Sequence, residues 1–190
     1  MKIKSIQGFE IIDSRGNPTV GARVNLDDSI SGIAFVPSGA STGQHEANEK
    51  RDADENRYLG KGVLGAVESI EKEISPILEG KNVEDLLMND KLIIESDASP
   101  NKSNFGANAI LAVSMASAKA ASVSKNMPLY KFINENCRRN NVLVWSSVPY
   151  ERQHFYISDY CRFDRNVERT KTGFTCVLYS NVARERLHQD

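Results

Sequence analysis

The sequence predicts an α+β domain, in which a three-stranded antiparallel meander is followed by helices. Three segments near the start are rich in alternating apolar residues and are separated by short runs of turn-forming residues. Short connections between consecutive strands favour antiparallel pairing, because parallel strands need a long crossover. Apolar residues then recur at helical spacing in the segments that follow. A run of strands followed by a run of helices is typical of the α+β class.

The strands can be placed from their turns. The first runs from Ile3 to Ile12 and ends at Asp13–Pro18, where Gly, Asn and Pro each favour a turn for a different backbone reason. The second covers residues 19–26, and Asp27 and Asp28 form a short turn signal after it. The third covers residues 29–36.

Two helices are predicted directly after the strands. Apolar residues at helical spacing favour a helix over residues 63–77, which Gly80 and Lys81 end in the expected way. Pro76 lies in the last turn of this helix and is expected to kink it or to end it early. A shorter amphipathic helix is predicted over residues 83–94.

Two further helices complete the predicted domain. Ser103 is a candidate N-cap for a helix that reaches about Ser124, and this helix is crowded with Ala and Ser. Small side chains there would let a neighbouring element pack closely against it. Pro128 suits the first turn of a last short helix through Phe132 and Ile133.

Composition argues against several classes of protein. The net charge of −1 gives no strong field that would point to nucleic acid or to a membrane surface. The first residues carry no long apolar run, so we expect no signal peptide, no membrane span and a cytoplasmic location. Three cysteines at wide spacing and without a CxxC pair favour reduced thiols over a disulfide framework or a zinc site.

The composition changes near residue 137. Residues 1–136 hold 11 Lys and 4 Arg and a net charge of −4, whereas residues 137–190 hold 1 Lys and 8 Arg and a net charge of +3. We therefore predict a domain over residues 1–136 and a separate basic tail over 137–190 that is poorly ordered. Two hypotheses for the tail stay open: a divergent appendage, or a segment that joined the domain by a frameshift or a recombination.

The tail's arginines are interleaved with aromatic residues, a pattern that suits single-stranded nucleic acid. Its net charge of +3 is modest, however, and no nucleic-acid-binding motif accompanies it. We therefore expect no nucleic-acid partner.

A glycine-rich polar loop at residues 37–46 follows the third predicted strand. It is not a P-loop, because the Gly-Lys-Ser/Thr ending and a parallel βαβ context are both missing. Two hypotheses stay open from composition alone: a plain surface loop, or a loop that closes over a ligand and offers oxygens to a hard cation. The candidate substrate-loop residues are Ser38, Gly39, Ala40, Ser41, Thr42, Gly43 and His45.

Several blocks of the first 135 residues resemble the amino-terminal domain of the enolases, and they occur in that family's order. Five or more blocks in order are far more specific than a lone motif. Nothing after Asn136 resembles the family. The blocks are IIDSRGNPTV at 11–20, PSGASTG at 37–43, RD at 51–52, LGKGV at 59–63, NKS at 101–103, FGANAILAVS at 105–114 and MPLY at 127–130.

The resemblance implies a capping domain that sits on an eight-fold barrel. It also implies the reversible dehydration of 2-phosphoglycerate to phosphoenolpyruvate. In enolase-superfamily sites a Lys or His base acts together with one or two Mg²⁺ ions. Ser41 matches the loop serine that contributes to the second Mg²⁺, and its neighbours match the closing lid. The other metal ligands, the base, the acid and the phosphate-binding residues belong to the barrel, so the resemblance assigns no catalytic residue to this chain.

Such a barrel needs about 250 residues, and 54 residues follow Asn136. We therefore expect a truncated enolase that is inactive alone. Resemblance to an enzyme family leaves open whether this chain is itself an enzyme. The alternative is a non-enzymatic interaction module that pairs with a separate barrel chain or with a full-length enolase.

The resemblance also has departures. Phe9 and Gly21 stand where the family usually has Arg and Glu, whose charges contribute to ion pairs across its dimer interface, so the usual dimer is not expected. Asn48 stands where the family usually has Leu, and Asn104 where it usually has Lys. An Asn in an apolar site would cost a few kcal/mol.

Overall fold

The computed structural model describes residues 1–27, 29–36 and 47–136. Within these ranges the chain is an α+β domain, as predicted: a three-stranded antiparallel sheet is followed by helices. The predicted tail over 137–190 lies outside the described residues, and so does the glycine-rich loop. Among the helices that are described, none is long and apolar enough to cross a membrane.

The sheet is a meander of β1 (Ile3–Ile12), β2 (Pro18–Leu26) and β3 (Ser31–Val36), with β2 in the centre. The limits of β1 are those predicted, and β3 begins two residues later than predicted. The turn after β1 is held by the Asp13 carboxylate, whose Oδ1 accepts from the N–H groups of Arg15 (2.9 Å) and Asn17 (2.8 Å).

The first predicted helix consists of three consecutive parts. These are α1 (Leu64–Glu68), a π-helical turn (Ser69–Ile74) and α2 (Ser75–Leu78), after a short 3₁₀ turn at Tyr58–Gly60. Pro76 lacks the N–H that an α-helix would pair with the carbonyl of Lys72, and its ring would press on that carbonyl. The wider π turn precedes Pro76, and the helix ends at Leu78.

The remaining helices are α3 (Leu86–Ser96), α4 (Ala107–Ser124) and α5 (Leu129–Asn136). The prediction that Ser103 caps α4 is wrong. The loop before α4 is held instead by the Asp97 carboxylate, which accepts hydrogen bonds from the N–H and hydroxyl of Ser99 and from the N–H of Phe105. The chain therefore enters α4 through Gly106, at φ 91°.

The core lies between the sheet and the helices. Val20, Val24 and Ala34 of the sheet are fully buried, as are Ile70 and Ala116 of the helices. Helix α4 packs so closely on β3 that a Cβ on Gly32 would lie within 3.0 Å of the backbone of Ala116 and Ala120. The Ala-rich composition of α4 permits this close approach near the start of β3.

Candidate functional site

The seven candidate substrate-loop residues, including the candidate metal ligand Ser41, all lie in the range 37–46, outside the described residues. Their assignment stays a prediction. The structure does describe the two ends from which this range departs, Val36 on one side and Ala47 on the other. These ends define the candidate functional site that can be described.

The first end is the last residue of β3. Val36 is 4% exposed and pairs with Val20 in the antiparallel ladder. Its carbonyl accepts a hydrogen bond from the hydroxyl of Thr19, which is itself buried. A buried backbone carbonyl that lacked a partner would be costly, so this bond secures the strand where the ladder ends.

The second end is held by backbone and amide groups at the start of α4. The N–H of Lys50 donates to Asn108 Oδ1 at 3.0 Å, and Asn108 Nδ2 donates back to the carbonyl of Lys50 at 3.1 Å. The N–H of Ala107 donates to the carbonyl of Asn48 at 2.8 Å, and the N–H of Asn48 donates to the carbonyl of Asn101 at 3.0 Å. Three of these hydrogen bonds fix residues 48–50 against the first turn of α4, and the fourth ties Asn48 to the loop before this helix.

The Lys50 side chain extends the same contact. Its Nζ donates to the hydroxyl of Ser69 at 2.8 Å and to the carbonyl of Asn104 at 2.7 Å. It thus joins the π-helical turn to the loop before α4. The Lys50 ammonium therefore has two hydrogen-bond acceptors within the domain.

Arg51 and Asp52 continue the chain in fixed positions. The Arg51 Nη1 group donates to the carbonyls of Pro18 (2.8 Å) and Lys61 (2.7 Å). Asp52 accepts from the N–H groups of Leu64 (2.9 Å) and Gly65 (2.8 Å). Asp52 therefore satisfies free N–H groups in the first turn of α1, where a negative charge is favoured by the helix dipole.

A charged pair ties this region to β1. Both guanidinium Nη groups of Arg57 donate to the carboxylate of Glu10, and the N–H of Val63 donates to Glu10 Oε2 at 2.9 Å. The hydrogen bond from Arg57, with the help of the bond from Val63, holds the pKa of Glu10 below its ordinary value. Arg57 also lies 3.6 Å from Asp52 and 4.8 Å from the centroid of the Tyr58 ring.

A cleft of about 430 Å³ lies beside this network. Arg15, Arg51 and Lys61 bring positive charge to it, and Glu55 brings negative charge. Each of the three cations has a partner within the protein: Asp13 for Arg15, Glu49 for Arg51, and the side-chain oxygen of Asn17 for Lys61. The three cations that line the cleft are therefore already engaged by groups of the domain.

In the ranges 1–27, 29–36 and 47–136, no three His, Cys, Asp or Glu side chains gather in a group that could hold a metal ion. Mg²⁺ prefers about six oxygens in near-octahedral order, and Ser41 would provide one. The residues that are described do not fit a Mg²⁺ site by themselves.

The departures at Phe9 and Gly21 have a local explanation. Phe9 on β1 and Phe35 on β3 both lie opposite Gly21, and their rings meet edge to face with centroids 5.8 Å apart. A Cβ on Gly21 would lie within 3.0 Å of both rings. The two aromatic rings thus cover a glycine on the sheet face away from the helices.

The departure at Asn48 carries no burial cost here, because its side chain is exposed. The departure at Asn104 is exposed as well, and it is the backbone carbonyl of Asn104 that contacts Lys50. Both positions are therefore compatible with the contacts that hold residues 48–50.

Sequence patterns did not reveal Lys50, Asn108, Glu10 or Arg57 as members of these networks. One signal was available for Asn108, which is a buried amide in the first turn of an otherwise apolar helix. Buried polar side chains are nearly always hydrogen-bonded. The identity of the partner, 58 residues away, follows only from the fold.

The fold and these contacts define an α+β domain whose sheet and helices rigidly hold both ends of a polar, glycine-rich segment. The sequence model of the family described as "Enolase, N-terminal domain" matches residues 3–133. This match spans well over half of the chain, and the chain belongs to the enolase family through this domain. The predicted family and its placement in the chain are thus confirmed.

Proposed function

We propose that residues 1–136 act as the amino-terminal capping domain of an enolase. The domain contributes its glycine-rich loop to the reversible dehydration of 2-phosphoglycerate to phosphoenolpyruvate, which takes place on an eight-fold barrel. The family match over residues 3–133 carries this proposal. The anchored ends at Val36 and at residues 48–50 support it, because a loop that must meet a substrate repeatedly needs fixed ends.

In this proposal the loop residues Ser38 to Gly43 and His45 cover the substrate, and the Ser41 hydroxyl offers one oxygen to Mg²⁺. Bound Mg²⁺ withdraws charge from a substrate carboxylate and makes its α-proton easier to remove. The described residues do not fit a complete Mg²⁺ site, so we derive no step through the ion on this chain. Its contribution is to position the loop and to exclude water.

It follows that the 190 residues alone should not turn over 2-phosphoglycerate. The test is to assay the purified chain with 2-phosphoglycerate and Mg²⁺, beside a Ser41→Ala control. We expect no formation of phosphoenolpyruvate by either protein. Turnover by the chain above the level of the Ser41→Ala control would contradict the proposal.

A positive test supplies a barrel domain. An enolase barrel domain is added as a separate chain or joined to residues 1–136, and turnover is measured with and without Ser41→Ala. We expect turnover that depends on both parts and falls strongly in the Ser41→Ala variant. No turnover in either arrangement would refute the proposed contribution to catalysis.

A second candidate function is a non-enzymatic interaction module that binds an enolase barrel or a full-length enolase. The observation that favours it is the exposure of large apolar side chains near α1: Leu59 is 77% exposed, Leu64 49% and Tyr58 45%. Pull-down with a barrel fragment distinguishes the two functions, since binding without turnover supports the module. Absence of both rules it out.

We further propose a cytoplasmic location and treat residues 137–190 as a unit separate from the domain. The change in composition at residue 137 supports this division. The nucleotide sequence downstream of codon 136 tests the origin of the tail: a second frame that encodes barrel strands would identify a frameshift.

A further inference from the structure

Asn108 occupies an unusual position at the start of α4. It is 5% exposed in a helix whose buried side chains are mostly apolar. Its amide makes a reciprocal pair with the backbone of Lys50: the Lys50 N–H donates to Oδ1 and Nδ2 donates to the Lys50 carbonyl. The Asn108 side-chain amide thus hydrogen-bonds both backbone groups of Lys50, as a neighbouring β-strand would, although Lys50 belongs to no strand.

The surroundings of this pair leave little freedom. Gly106 has a φ of 91°, and a Cβ on it would lie 2.5 Å from Lys50 Cβ and 2.7 Å from Asn108 Oδ1. A glycine at this position therefore lets the two segments approach closely. The bond from the Ala107 N–H to the Asn48 carbonyl extends the contact by two residues toward the glycine-rich loop.

We propose that Asn108 is a positioning residue, which fixes residues 48–50 and thereby sets the point at which the chain returns from residues 37–46 to the domain. Its effect on turnover rests on the proposed function, whereas its effect on residues 48–50 does not. Asn108 touches no reacting group in this proposal and acts only through the backbone of Lys50.

The first experiment measures amide hydrogen exchange in the full 190-residue chain. Asn108→Ala removes both bonds of the pair, so faster exchange at Lys50 itself is trivial. The informative amide is that of Asn48, whose N–H donates to the Asn101 carbonyl and not to Asn108. If Asn108 fixes the whole segment, exchange at Asn48 becomes about tenfold faster, as the loss of roughly one hydrogen bond's worth of local stability predicts.

A matched control is available in α3. Asn89 is 3% exposed, and its Nδ2 donates to the Asn82 carbonyl at 2.9 Å. Asn89→Ala therefore removes a comparable buried amide far along the chain from residues 48–50. We expect its effect on Asn48 exchange to stay within about twofold. Equal exchange at Asn48 in the two variants would overturn the proposal.

The second experiment measures kcat and KM with a barrel domain supplied. We expect Asn108→Ala to lower kcat about tenfold with little change in KM, because misplaced groups weaken transition-state contacts first. Gly106→Ala, whose Cβ would press on both Lys50 Cβ and Asn108 Oδ1, should act in the same direction. Asn89→Ala should leave both constants near the parent values.

The outcomes separate the two proposals. If the parent protein with a barrel shows no turnover, the proposed function fails, and the exchange at Asn48 alone decides the role of Asn108. If the parent is active and Asn108→Ala keeps its full kcat, the positioning role in catalysis is refuted. Faster exchange together with reduced kcat supports it.

Discussion

Substitution of Gly32 by Ala tests whether the contact between β3 and α4 determines the stability of the domain. A Cβ at Gly32 would lie closer than 3.0 Å to backbone atoms of both Ala116 and Ala120. Neither neighbour has a flexible end that can swing away, so α4 has to move by about 0.5–1 Å across a tightly packed contact. Overpacking typically costs about 1–3 kcal/mol, and backbone on the receiving side places this site near the upper limit.

The expected loss of about 3 kcal/mol corresponds to a fall in Tm of roughly 10 °C for a domain of this size. The assay is urea unfolding followed by circular dichroism, with thermal unfolding as a second measure. Gly8→Ala is the matched control, because a Cβ there would lie 3.1 Å from the Val67 carbonyl and 3.2 Å from Ile70 Cβ, which small shifts can relieve. If the two variants lose the same free energy of unfolding, within about 0.5 kcal/mol, the inference that α4 packs unusually closely on Gly32 is refuted.

Two further predictions concern the charged pair and the outer sheet face. Glu10→Gln should lower the free energy of unfolding by about 1–2 kcal/mol at neutral pH, because Arg57 and Val63 lose a charged acceptor and Arg57 is partly exposed. Because the pKa of Glu10 is lowered in the folded state, the stability that its carboxylate contributes is complete above the ordinary pKa of 4.5. This stability is lost as the pH falls through the lower pKa of the folded state. A stability difference between parent and Glu10→Gln that stays constant down to acid unfolding would contradict this reasoning. Gly21→Ala should cost about 1 kcal/mol through contact with the ring of Phe9, and the cost should shrink in a Phe9→Ala background, as a double-mutant cycle by urea unfolding would reveal.

The strands could be predicted closely because their signals are local. Side-chain alternation and the turn residues at 13–18 determine where β1 ends, and the same information is available before folding. The start of α4 was misplaced because Ser103 has the chemistry of an N-cap, whereas Asp97 gathers the loop in its place. Competition between two good hydrogen-bonding side chains is decided by tertiary position, which a local pattern does not contain.

The contacts at the candidate site could not be predicted for the same reason. Glu10 and Arg57 are 47 residues apart, and Lys50 and Asn108 are 58 apart. Each pair forms only because the meander and α4 bring two distant segments together. The composition of residues 37–46 predicts a functional loop, but it carries no information about what holds the two ends of this segment.

The networks around residues 48–65 lead to a physical interpretation of what such a domain contributes. Lys50, Arg51, Asp52 and Glu10 all engage backbone groups, and Glu10 is also paired with Arg57. Part of their charge is thus used inside the domain. A carboxylate committed in this way is a poor general base, because protonating it would weaken the hydrogen bonds that hold the fold locally. In the proposed function the value of these contacts is geometric. They remove conformational freedom from the ends of the loop, which would otherwise cost entropy when the loop meets a ligand. If the proposed function holds, variants of these anchors should lower kcat by misplacing the loop, without altering the acid, base and phosphate-binding groups that the proposal assigns to the barrel.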